Sequence, residues 1–288
     1  MGLATVPPDS HVHSEWSWDA PLASMELSCA RAVEFGLPAI AFTEHLDHTV
    51  WTVALDGVHR DEHLASLATP DGVLTPPAFD ASGYLAAIET CRERFPDLRI
   101  LSGLELGEPH WHAAACGKVL GAGRYDRVLG SVHCLPEPTD PDRFAEPPGH
   151  YRHRVAADVV RQYLAEVVQL VNRSEVFSVL AHIDYPVRYW PERDAGPFDL
   201  SIFEAEFRHA LRATARSGRA LEISTRIPSL HSALIRWWHE EGGEAVSFGS
   251  DAHEPSAVAR GFREAAAMAR AHGFRPGENP YDLWPRAN

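Results

Sequence analysis

Seven apolar, strand-like segments of this chain run into a histidine, aspartate or glutamate at or near their C-terminal ends. They are Asp9 to His13, Ala39 to Thr43, Arg99 to Glu105, Arg127 to His133, Val176 to His182, Ala220 to Ser224 and Ala245 to Ser250. Segments of helical period lie between them: Leu22 to Phe35, Ala81 to Arg94, Ala156 to Val171, Ile202 to Ser217, Leu230 to Glu241 and Ser256 to Ala271, with a shorter one over His110 to Leu120. Strands of period 2 alternating with helices of period 3.6 predict an α/β architecture on a parallel sheet. In barrels and doubly wound sheets the active site is built at the C-terminal ends of the strands. The polar strand ends therefore predict seven strands converging on one site.

A chain of 288 residues, 45% hydrophobic and 23% charged, suits one barrel-sized domain over residues 1–288. Long loops at about 46–80 and 135–154, both rich in Pro, Asp and His, interrupt the rhythm, and 276–288 reads as an irregular tail. No apolar run reaches the roughly 18 residues that span a bilayer, and Met1-Gly-Leu-Ala has no basic leader, so a cytoplasmic protein with no membrane partner is expected. A formal charge of −14 argues against a duplex nucleic-acid partner, which calls for a basic face. Cys29, Cys91, Cys116 and Cys134 form no C-x-x-C pair and read as buried free thiols. Oligomeric state has no sequence signature here.

The strand-end residues are metal-ligand types. His11 and His13, at i and i+2 on a strand, point to one face, so one ion can take both. Asp19 lies in the following loop and, taken alone, reads as a helix N-cap before Pro21. In Thr43-Glu-His45, His45 is a ligand and Glu44 is placed to orient an imidazole through its free N–H, while Asp47 and His48 read as solvated loop residues. Glu105 would be costly to bury without a metal or cation. A carboxylate can bridge two ions, so Glu105 takes that role, and Glu108 is left as a surface or substrate-loop residue. His133 and His182 close two further strands, Asp251 and His253 again stand at i and i+2, and Glu222 is placed equally to bind metal, to hold a ligand or to meet a substrate amine. Imidazole and carboxylate together admit Zn, Mn, Fe and Co.

With these residues in place, the chain resembles the polymerase-and-histidinol-phosphatase (PHP) family of metallohydrolases from Asp9 to roughly Ala271, in family order. The resemblance implies a distorted (β/α)7 TIM-like barrel with three divalent ions, Zn, Mn or Fe, at the strand ends. It assigns His11, His13, Glu105 and Asp251 to one ion, Glu105, His133 and His182 to a second, and Asp19, His45 and His253 to a third. Phe42-Thr-Glu-His45, Gly103-Leu-Glu105, Gly130-Ser-Val-His133 and Phe248-Gly-Ser-Asp-Ala-His253 are similar to the wording of histidinol-phosphate phosphatases. Arg188 stands where those enzymes carry a basic residue, whereas Ser224-Thr-Arg226-Ile-Pro-Ser replaces their Asn-Thr-Ser-Gly-Leu-Arg run and displaces its arginine.

The implied reaction is hydrolysis of a small phosphate monoester by a hydroxide held between metals, with Glu105, Asp251 and His253 as the catalytic set. The proton for the leaving group is open between metal-bound water, His253 and Asp251. Arg188 and Arg226 would contact the phosphoryl group, and Glu222 or Glu108 would hold an amine. A phosphodiesterase or nucleotidase of the same family is the alternative, its base stacked on Trp16, Trp18, Trp51, Tyr185 or Trp190. A non-catalytic metal-binding or polymerase-associated module is the second.

Overall fold

The structure, a computed structural model, describes residues 6–53 and 62–287. Seven parallel strands form its centre: β1 (Asp9–Val12), β2 (Ala39–Leu46), β3 (Arg99–Gly107), β4 (Arg127–Ser131), β5 (Val179–Leu180), β6 (Ala220–Ser224) and β7 (Ala245–Gly249). Their spatial order follows the chain, as right-handed crossovers through helices produce. The registers set the rim: His45 stands opposite Glu105 across β2 and β3, and Glu222 opposite Ser247 across β6 and β7.

The barrel closes at its mouth. The His13 N–H donates to the Ala252 carbonyl and the Asp251 N–H to the His11 carbonyl, both at 2.9 Å, with Val12 bridging Ala252. At the other end of the same β7 edge a short eighth strand, β8 (Trp284–Pro285), pairs antiparallel through Val246 and Trp284. The expected irregular tail is thus wrong in part. Trp284 is buried against Phe248, with ring centroids 4.8 Å apart, and burial of that indole holds the tail in place. Closed at the mouth and wedged at the base, the sheet is the distorted seven-stranded barrel expected from the sequence.

Among the described residues the longer helices cover it: α1 (Met25–Phe35), α2 (Ala81–Arg94), α3 (Ala113–Leu120), α4 (Ala156–Arg173), α5 (Glu204–Arg216), α6 (Pro228–Glu240) and α7 (Phe262–Ala271). In α4, Val159, Val160, Tyr163, Leu164, Val167 and Val171 make the buried stripe of an amphipathic helix. Helix α1 begins three residues later than expected because the Ser24 hydroxyl accepts the Leu27 N–H. The helix expected over 256–271 is broken by positive φ at Ala259 and Gly261, so α7 starts at Phe262. No helix among the described residues is long and apolar enough to cross a membrane. All four cysteines are buried and free, as expected.

Strand residues alternate between two environments. Val12, Ile40, Phe42, Ile100, Leu180, Ile223 and Phe248 join the apolar layer beneath the helices. Their neighbours on the other face of the strands include His11, His13, His45, Glu105 and Glu222.

The two insertions carry structure of their own. Trp51–Thr52 pairs antiparallel with Val73–Leu74, and a short helix covers Glu62–Leu67; residues 54–61 of this loop lie outside the description. Leu135–Glu137 and Asp140–Ala145 form a hairpin that leads into a turn of helix at Pro147–Tyr151.

Candidate metal centre

The strand ends bring the donors together around Glu105. Its Oε2 lies 3.0 Å from His11 Nε2 and 3.3 Å from His13 Nε2. Asp251 Oδ1 stands 3.7 and 3.4 Å from the same two nitrogens. Donors bound at about 2.0–2.1 Å to one tetrahedral ion stand about 3.4 Å apart, so these four atoms have the spacing of a coordination shell. Glu105 Oε1 faces the other way, 3.1 Å from His133 Nε2 and 2.5 Å from His182 Nε2. The two oxygens of one carboxylate address two donor sets, as the bridging role requires.

A third set lies at the mouth. Asp19 Oδ2 is 3.2 Å from both His45 Nε2 and His253 Nε2. No helix starts at Asp19, so its N-cap reading is replaced by contact with these imidazoles. His45 joins the sets, because its Nδ1 is 3.3 Å from Glu105 Oε2. The donor atoms of His11, His13 and Glu105, of His45, Glu105 and His133, and of His13, His45 and His253 each lie within 4.8 Å of one another.

Whether these residues fit metal ions is decided by the far nitrogens of the rings. His11 Nδ1 donates to Glu222 at 3.0 Å. His13 Nδ1 donates to the Ser17 hydroxyl at 2.9 Å, and Ser17 in turn donates to Glu44 at 2.6 Å. His133 Nδ1 donates to Asp47 at 3.2 Å. Once a ring gives up its second proton, each contact leaves the lone pair on Nε2. The Nε2 atoms of His11 and His13 then face each other at 3.1 Å, with Glu105 beside both. Acceptors crowded in this way, and buried, need a cation among them, and the set suits divalent metal.

Electrostatics points the same way. Burial disfavours charge on Glu105, Asp19 and Asp251, yet facing imidazoles, and Arg188 for Asp251, outweigh it and hold all three well below the carboxylate range. Burial opposes charge on His11 as well, but Glu222, Glu105 and Asp251 raise it well above its ordinary value. Burial, reinforced by the charges of His45 and His253, lowers His13 to about 4. The carboxylates demand positive charge, which bound metal ions would supply in place of the ring protons.

Asp251 reaches the centre through backbone strain. It follows β7 at φ +52, a left-handed conformation that aspartate tolerates better than most residues. Side chains of Gly249 and Gly107 would collide with Glu222 and Asp47 respectively, so both glycines make room for carboxylates that hold the ligands.

Two readings from the sequence are corrected. Asp47 is not solvated: it is buried, and it accepts from the Trp18 indole at 3.1 Å as well as from His133. Glu108 is not a surface residue. Its carboxylate accepts the His133 and Cys134 N–H groups at 2.5 and 2.8 Å and the Thr49 hydroxyl at 2.6 Å, tying down the loop after β4. Glu222 is engaged by His11 and by the His182 N–H at 3.0 Å. Glu44 reaches His13 through Ser17. A signal for Asp47 was present: it stands two residues after His45, the spacing already read in His11 and His13.

A cavity of about 380 Å³ opens onto the centre, within the size range of small-ligand sites. Arg188 and Arg226 line it. Arg188 is tied to Asp251 and donates to the Ser224 hydroxyl at 3.1 Å, while Arg226 has 40% of its side chain exposed. Trp18, Trp51 and Tyr185 also line the cavity, whereas Trp190 packs against Phe198 and Phe203 and Trp16 against the core.

Convergence of imidazoles and carboxylates at the mouth of a seven-stranded barrel defines a metallohydrolase-type site. Residues 9–226 match the PHP domain family, and the chain belongs to it. A histidinol-phosphatase of Lactococcus lactis subsp. lactis is 27% identical over 280 residues, covering 92% of this chain and 91% of its own. A "probable histidinol-phosphatase" of Deinococcus radiodurans is 28% identical over 277 residues, covering 93% and 94%. The crystal structure of the Lactococcus lactis histidinol phosphate phosphatase, complexed with zinc, L-histidinol and phosphate, superposes with a TM-score of 0.77 at 22% identity, over 96% of this chain and 98% of that one.

Proposed function

We propose that this chain is, as one barrel domain, a metal-dependent phosphomonoesterase acting on histidinol phosphate, and that it works in the cytoplasm, where its free cysteines stay reduced. The observation that carries this reading is Glu105, whose two oxygens face separate imidazole pairs beneath a cavity lined by Arg188 and Arg226. His11, His13, Glu105 and Asp251 would hold a first ion, Glu105, His133 and His182 a second, and Asp19, His45 and His253 a third. Zinc, as in the Lactococcus lactis complex, manganese and iron all suit these donors. Bound ions supply Lewis acidity for the phosphoryl oxygens and a water acidic enough to attack at neutral pH.

The protein residues do the rest. Arg188 and Arg226 bind the non-bridging oxygens, where a planar guanidinium matches phosphate. Arg188 also holds Asp251 in place. Glu105 and Asp251 act as ionised carboxylates and have no proton to give. His253 Nε2, facing Asp19 at 3.2 Å, serves the third ion or, when protonated, the leaving alkoxide; the two roles exclude each other at one nitrogen. The small phosphorylated partner leaves no role for duplex nucleic acid, whose backbone an acidic chain of net charge −14 would repel.

Metal analysis of protein loaded with Zn, Mn or Fe, coupled to phosphate release from a panel of esters, tests the reading. Three ions per chain and the highest kcat/KM on histidinol phosphate are expected. Two ions with full activity would assign His253 to proton transfer. Turnover of nucleotides or dinucleotides alone would establish the nucleotidase alternative, and silence on every ester with a filled site would leave a metal-binding module.

A further inference from the structure

Among the described residues, five carboxylates line the cavity: Asp19, Asp47, Glu105, Glu146 and Asp251. Four of them face imidazoles of the centre. Glu146 does not. It is supplied by the second insertion, from the residue that precedes the turn of helix at Pro147–Tyr151, yet its side chain caps no backbone N–H. Its Oε1 accepts the Tyr185 hydroxyl at 2.7 Å, and among the described residues Oε2 has no hydrogen-bond partner, so that it can meet a ligand. Glu222 and Glu108, the acids expected from the sequence to meet an amine, are both consumed by protein partners.

Two continuations lead away from the cavity. Arg188 and Arg226 border the side that continues toward Thr225 and Arg260. Thr52, Val53 and Gly149 border a second continuation, toward the hairpin, which Glu137, Arg143, Arg152 and His153 also line, and Glu146 belongs to that segment of chain. Trp51, Val53, Leu64 and Pro148 give this side an apolar wall. Among the described residues that line the cavity itself, Arg188 and Arg226 suit an anionic group and Glu146 a cationic one.

We propose that the Glu146 carboxylate is the receptor for an ammonium group on the substrate, so that the ester cleaved here carries its amine on the leaving-group side. This assignment rests on the phosphomonoesterase reading above and supplies it with a source of selectivity. A charge-assisted contact with a carboxylate in the cavity discriminates strongly against an ester that lacks the amine. Burial, and the nearby Asp19 and Asp47 carboxylates, push Glu146 up to about 7 against the pull of Tyr185 and His133. An ammonium at its free oxygen relieves that strain.

The test compares histidinol phosphate with phenyl phosphate, which has no amine. Wild-type protein is expected to prefer the amino ester. Glu146→Gln is expected to cut that preference, as a ratio of kcat/KM values, about 10- to 100-fold, mostly through KM for histidinol phosphate. Glu146→Asp should restore part of it and Glu146→Lys should reduce it further. A ratio unmoved in both the Gln and Lys variants, with metal content intact, overturns the assignment alone. A wild type that hydrolyses both esters without preference overturns the substrate reading and the assignment together.

Discussion

The two faces of the same strands obey opposite rules. Phe42, Val12 and Ile223 are buried under the helices with apolar neighbours, where burial itself stabilises. His45, His13 and Glu222, one or a few residues away, are as thoroughly buried, but there burial costs stability unless a cation or hydrogen-bond partner is present. One backbone therefore carries a stabilising layer outward and a destabilising, chemically useful one at its mouth. Fold stability and function are separable here, residue by residue.

The strongest way to break that separation is a pair of substitutions. Glu105→Ala should abolish binding of the ions that it shares and lower phosphate release by about a thousandfold or more, while the melting temperature of metal-free protein changes little. Phe42→Ala should do the reverse, costing about 3–5 kcal/mol in denaturant unfolding while folded protein retains its metal. Full activity and full metal content in Glu105→Ala would sink the metal-centre reading.

A smaller effect sharpens the boundary between the layers. Asp47 touches no ion in the proposed assignment and acts through His133. Asp47→Asn should therefore weaken metal affinity by about 10- to 100-fold, visible in chelator competition, with modest change in thermal stability. Unaltered affinity would reduce Asp47 to a packing residue. Glu222→Gln provides the parallel measurement at His11.

The least effect is expected from pH. In metal-free protein, burial works against charge on His45, but Asp19, Glu105 and Asp47 raise it to about 10. A folded value above the ordinary 6.5 means that this contribution to stability is full below about 6.5 and is lost as pH rises through about 10. Metal binding runs the other way, since it releases ring protons and tightens with pH. Melting curves with and without chelator from pH 6 to 10 should diverge as pH rises; parallel curves would show that His45 is not held by those carboxylates.

Much of this was legible in the chain. The strand periods placed β6 and α2 at their observed limits, and the polar strand ends marked His11, His13, His45, Glu105, His133, His182 and Asp251. Other features lacked a local signal. Strand β5 spans only Val179–Leu180 where seven residues suggested one, although the Ser178 and Ala181 N–H groups also donate to β4 carbonyls. Glu108 and Asp47 look like loop acids until β3 and β4 bring the His133 backbone and ring against them. Glu146 lies in an insertion whose course over the cavity no periodicity encodes.

The sequence alone determined the alternation of strands and helices, the ligand chemistry at the strand ends and the acidic balance of the whole. Those follow from side-chain type and spacing, which are local. The tertiary structure decided which donor atoms meet, which tautomer each imidazole adopts and which acids support ligands instead of binding ions. His11 and Glu222 are 211 residues apart, and His133 and Asp47 are 86 apart. Only closure of the barrel brings such partners within hydrogen-bond range, and it is that range, not residue identity, that settles where protons and metal ions sit.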